Sequence, residues 1–113
     1  MAHQLTRTDA RRIAVRAQLL DHPRPADLMT VVRHLAFLQF DQTAAVAPSA
    51  DVVLWSRLGS SYAPEELAGL LKDQSLIELH GLIRPAEDIA LFRADMADWP
   101  GRGEVKEWQA AVE

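Results

Sequence analysis

Two short apolar runs, Leu76-Ile77-Glu78-Leu79 and Leu82-Ile83-Arg84, are separated only by His80-Gly81. A two-residue gap of this kind predicts a tight β-hairpin, with Gly81 supplying the positive φ that such turns demand. His80, in the turn, is expected to be a solvent-exposed histidine. This ribbon fixes where the extended part of the chain lies, and the rest is read against it.

Upstream, the chain has helical periodicity. Thr6 can cap a first helix, with Asp9 three residues on as in a capping box. Ile13, Ala14, Ala17 and Leu20 share one face. Arg12 and Arg16 stand one turn apart on one side. Pro23 and Pro25 are expected to end that helix, and Pro25 to sit in the first turn of the next. Leu28, Val31, Val32, Leu35 and Leu38 recur at helical spacing, with Phe37 flanking them. His34 lies off this stripe, as a solvated or capping side chain. After Asp41 comes a loop of small residues. Ser49 can then cap a short helix that ends at Gly59, and Pro64-Glu65-Glu66 is a strong helix start.

Beyond the hairpin, a helix is predicted from Pro85, with Ile89, Phe92 and Met96 inward. Trp99 to Gly103 stops it, and Val105, Trp108 and Val112 begin another helical pattern. That apolar stripe calls for a partner surface, so the expectation is the front piece of a longer protein or self-association through this C-terminal helix. Helix, helix, short strand, helix and hairpin make a mainly helical α+β chain. The order fits a winged helix over residues 1–100, with residues 101–113 starting a further, truncated helix. It also fits a generic small α+β domain.

Composition sets outer bounds. With 113 residues, 49% hydrophobic and 25% charged, the chain matches an ordinary globular domain. It has no cysteine, which excludes disulfides and thiolate metal sites. It has neither an apolar run long enough to span a membrane nor a signal pattern, so a cytoplasmic location is expected. The net charge is −4 but unevenly spread. Residues 1–34 hold six arginines against three aspartates, while the remainder is strongly acidic. The basic end could face phosphate, or its arginines could simply solvate a helix.

One stretch carries chemistry. In Leu38-Gln39-Phe40-Asp41, alternate side chains of an extended segment share a face. Gln39 and Asp41 would then point together, with Phe40 anchoring the other side. An amide beside a carboxylate can orient a water, stabilise a developing cation or read a polar ligand. The same pattern also suits a strand end running into a turn.

Three segments together give a sharper reading: LTRTDARRIAVRAQ, LQFDQTAAVAPSADVVLWSRLG, and LIELHGLIRPAED followed by ALFRADMADWP. Over about residues 5–100 they resemble the N-terminal region of the YcaQ/AlkZ-like DNA glycosylases. These are bacterial winged-helix proteins that remove alkylated bases, including bases in interstrand crosslinks. The most specific part is the Gln39-Phe40-Asp41 triplet ahead of Trp55-Ser56-Arg57-Leu58-Gly59. The resemblance implies tandem winged helices forming a concave surface for double-stranded DNA, and a chain roughly three times longer. It implies that Asp41 places the attacking water or stabilises an oxocarbenium-like sugar, with Gln39 orienting that water. Arg7, Arg11, Arg12, Arg16 and Arg57 are the candidate DNA-binding residues. No metal or other cofactor is implied. Without the later modules, this polypeptide alone is expected to have little or no glycosylase activity. The alternative is a non-catalytic winged-helix DNA-binding or protein-interaction domain.

Overall fold

The computed structural model describes residues 2–41, 43 and 46–98. The helical pattern expected at Val105, Trp108 and Val112 lies outside these residues. Among the described residues, five α-helices and three short strands follow in chain order: α1 (Arg7–Ala17), α2 (Leu28–Leu35), β1 (Leu38–Gln39), α3 (Ser49–Leu58), α4 (Pro64–Lys72), β2 (Leu76–Leu79), β3 (Leu82–Pro85) and α5 (Arg93–Ala97). Short 3₁₀ segments follow α3 and β3, over Gly59–Ser61 and Ala86–Phe92. The fold is therefore α+β and mainly helical, as expected.

The hairpin forms at the expected place. β2 and β3 pair antiparallel with Leu79 opposite Leu82, and His80 and Gly81 both take positive φ, 55° and 75°. β1 adds to the other edge of β3, giving the sheet order β1-β3-β2. The core lies where one face of this sheet meets α2, α3 and α4, and Leu28, Val32, Leu38, Leu54, Leu76 and Ile83 are buried there.

Local chemistry explains most helix ends. The Thr6 hydroxyl accepts from the Asp9 N–H at 3.0 Å, and the Thr6 N–H donates back to Asp9 Oδ2 at 3.2 Å. This is a complete capping box. α3 ends on Gly59 at φ 70°, and α4 starts with Pro64 at its first turn.

Other expectations need correcting. α1 ends at Ala17, with Leu19 at φ 58°, well before the prolines. α2 starts at Leu28, because Asp27 Oδ1 accepts the Thr30 N–H at 2.8 Å and so supplies the cap that Pro25 cannot. Pro48 occupies the junction before α3, which leaves Ser49 inside the helix and not capping it. After β3 the chain winds as a 3₁₀ segment, and Ile89 and Met96 are exposed. Spacing alone does not say what covers an apolar stripe. This segment is held instead by Arg33, paired with Glu87 at 2.7 Å, and by Arg84, whose guanidinium lies 4.3 Å from the Phe92 ring centre.

α1 is the outlier of the fold. It buries no residue. Its attachment lies at its C-terminal end, where the His34 Nε2–H donates to the Ala17 carbonyl at 2.8 Å and Arg57 Nε donates to the Gln18 carbonyl at 3.0 Å. The capping role considered for His34 is thus the one it takes.

Candidate active-site cleft and basic face

The site begins with a turn. α2 stops at Ala36, whose φ of 73° swings the chain into β1. A side chain is strained there, and the strain is tolerated because the next residues are pinned. Leu38 pairs with Ile83 and Gln39 with Leu82, and the Phe40 N–H donates to the Gly81 carbonyl at 2.8 Å. The stretch that carries the candidate chemistry is thereby fixed beside the hairpin turn.

Leu38 is the anchor on the core side; Phe40, expected to fill that role, is part-exposed and lines a cleft. Gln39 and Asp41 are both exposed. Asp41 enters the same cleft, a recess of about 170 Å³ whose walls include Pro48, Asp51, Pro64 and Leu67. Gln39, two residues earlier, is not among its lining residues. Asp41 Oδ1 accepts the Thr43 N–H at 2.9 Å. This Asx-type bond fixes the carboxylate without burying it. A fixed, water-accessible carboxylate beside apolar walls can hold a water or face a developing positive charge.

A second groove, of about 350 Å³, adjoins the first and shares Asp51 and Pro64 with it. Its other walls are Val46, Ala47, Val52, Trp55 and Tyr62. The Tyr62 hydroxyl donates to Asp51 Oδ1. Burial, then this bond, push the Tyr62 phenol well above its ordinary pKa. In the sequence Trp55 stands out only as part of the Trp55–Gly59 resemblance block, and nothing there marks Asp51 or Tyr62 as groove residues. The four-residue spacing of Asp51 and Trp55 on α3 was the available signal.

The arginines divide into two kinds. Arg7, Arg11, Arg12 and Arg16 are all exposed on α1. Arg11, Arg12 and Arg16 line one shallow recess with Val15 and Asp21, and Arg16 pairs with Asp21 at 3.1 Å. Arg57 is part-buried, and burial lowers its pKa. Its Nε serves Gln18, and one terminal nitrogen donates to Ser56 Oγ at 3.0 Å and to the Val53 carbonyl at 3.4 Å. Arg24, not singled out in the sequence, donates to the Ser56 and Arg57 carbonyls, both at 3.3 Å, at the end of α3. Both cations satisfy carbonyls at the negative ends of helix dipoles.

Among the described residues, no group of three or more His, Cys, Asp or Glu is placed to hold a metal ion, and no helix is long and apolar enough to cross a membrane.

The family model of the AlkZ-like DNA glycosylases matches residues 32–113, well over half of the chain. The chain belongs to the AlkZ-like DNA glycosylase family. That membership places it with DNA-repair glycosylases, and thus with proteins that work on DNA. No curated protein and no solved structure matches it. The AlkZ-like match takes in Gln39, Asp41, Asp51, Trp55 and Arg57, but begins after α1 and its four exposed arginines.

Proposed function

We propose that this chain is the N-terminal winged-helix part of a monofunctional DNA glycosylase that removes alkylated bases by hydrolysing the N-glycosidic bond. Family membership supports the reaction class. The observation that carries the assignment to residues is Asp41, fixed by Thr43 and open to a cleft at the end of a pinned strand. The order α2, β1, α3, α4 and the β2–β3 hairpin supports the winged-helix reading, with the hairpin as the wing.

The chemistry asks little of the protein. An N7-alkylated purine is already cationic and leaves readily, so acid catalysis is not needed. What helps is negative charge near the sugar C1′ as the base departs, and a water held for attack. Asp41 supplies the charge and receives the proton of the attacking water. Gln39, on the exposed face of β1, orients that water. Arg7, Arg11, Arg12 and Arg16 contact the phosphates of the duplex. Arg57 supports them by holding the end of α1. On this reading the 113 residues alone are expected to be inactive or nearly so.

The test is release of 7-methylguanine from duplex DNA by the complete protein. Asp41→Asn is expected to slow single-turnover release by about 100-fold or more and Gln39→Ala by about 10-fold, the scale of losing one transition-state contact. Unchanged rates in both variants would remove these residues from the reaction. Separately, replacing Arg11 and Arg12 with Ala is expected to flatten the dependence of duplex affinity on salt by about two charges' worth.

A further inference from the structure

We propose that the apolar groove beside the Asp41 cleft seats the damaged base itself, as a flat, positively charged purine lying against Trp55 with Asp51 at its edge. The inference rests on the glycosylase reading above and adds a binding site to it. A base cannot be attacked inside the duplex stack, so an excising enzyme needs somewhere to put it.

Four observations converge on this groove. Trp55 is 62% exposed on a helix whose Ala50, Leu54 and Leu58 are buried, so it faces away from the core. The recess of about 350 Å³ falls at the lower end of small-molecule sites. Among the described residues, neither this recess nor the adjoining cleft has a lysine or arginine in its walls, whereas Asp41 and Asp51 do line them. That charge pattern suits a cation and repels phosphate. Finally, Asp51 and Pro64 are common to both recesses, so a base in one lies next to a sugar in the other.

The chemistry matches term by term. Indole is the strongest aromatic partner for a cation, and base–aromatic stacking is insensitive to the rest of the sequence. Tyr62 donates to one oxygen of Asp51 and so fixes its carboxylate at the groove wall. An N7-alkylated purine carries the positive charge that an undamaged purine lacks, so Trp55 and Asp51 together read damage by charge.

Two measurements decide it. In the complete protein, Trp55→Ala is expected to raise the concentration needed for half-maximal 7-methylguanine release by about 5- to 100-fold, the scale of one lost stacking contact. Its affinity for undamaged duplex should hold, and Trp55→Phe should recover most of the loss. An unchanged half-maximal concentration, or an equal loss on undamaged duplex, would overturn the proposal. The second measurement needs no catalysis. In the 113-residue chain, 7-methylguanosine should shift the Trp55 indole and Val52 methyl resonances, guanosine should shift them far less, and Asp51→Asn should narrow that difference. Equal shifts, or none, would sink the groove as a cation site. If the complete protein releases no base while the titration succeeds, the glycosylase reading fails and the groove stands.

Discussion

α1 and α2 begin from the same kind of sequence and end in opposite circumstances. Each has an apolar face at helical spacing and an oxygen cap at its start. α2 buries Leu28, Val31 and Val32, whereas α1 buries nothing and leaves Ile13 53% exposed. Periodicity therefore specifies the helix but not its cover. α2 is held by its face, against the sheet and α3, while α1 is held by its end, through His34 and Arg57. The two modes differ in what breaks them.

The largest effect should come from the body. Leu54 is fully buried at the centre of α3. Leu54→Ala is expected to cost about 2–5 kcal/mol in urea unfolding, through lost transfer energy and a residual cavity. The matched change on α1, Ile13→Ala, should stay within about 0.5 kcal/mol, because an exposed side chain loses little and alanine favours helix. A large loss at Ile13 would mean that α1 is covered after all, and the contrast would fall.

Arg57→Ala should act between these extremes. It removes the donor to Gln18 and two contacts within α3. Charge-assisted bonds of this kind contribute about 1.5–3 kcal/mol. Most of the consequence should be local, with amide exchange in α1 accelerating more than exchange in α2. Uniform acceleration would show that Arg57 braces the whole body. If the α1 arginines meet DNA, the variant should also weaken duplex binding, although its own side chain is occupied elsewhere.

How much of this could be read from the sequence follows the same division. Features set by a residue and its near neighbours were legible. These include the Thr6–Asp9 box, Gly59 at the end of α3, Pro64 at the start of α4, and the His80-Gly81 turn. The Gln39-Phe40-Asp41 stretch was legible as a candidate for chemistry, but its anchoring was not. Leu38 carries it because Ile83 lies opposite across the sheet. Long-range assignments were out of reach for the same reason. Nothing near Arg57 in the chain points to Gln18, and nothing near Asp41 points to Leu67, since both partners are brought in by tertiary packing. The Trp55 groove was missed because an aromatic on a short helix reads as core until its exposure is known.

The smallest expected effects are in pH, where acid acts on both regions and alkali on the body first. Asp9 is held below the ordinary carboxylate range, first by the Thr6 hydroxyl and then by the Thr6 backbone N–H. A lowered folded-state pKa gives a contribution that is whole above about pH 4 and lost as the pH falls through the folded value. Acid should therefore loosen α1 at its start. Asp27, Glu87 and Asp73 are lowered as well, by Thr30, Arg33 and Ser75 respectively, so the body also weakens in acid and the readout must be residue by residue. Tyr62 runs the other way. Its raised pKa gives a contribution that is whole below about pH 10 and lost as the pH rises further. Alkali should thus loosen the junction of α3 and α4, where Tyr62 meets Asp51, before it touches α1. Amide exchange or resonance intensities followed from pH 7 down to about 3 and up to about 11 would show both limbs. Thr6→Ala should remove most of the acid response of the first turn of α1 and leave the alkaline one, because it deletes the hydroxyl that does most to lower the Asp9 pKa. Tyr62→Phe should do the reverse, because it deletes the titrating phenol itself. If either limb survives its own deletion, the cap or the phenol is not what ties that region down.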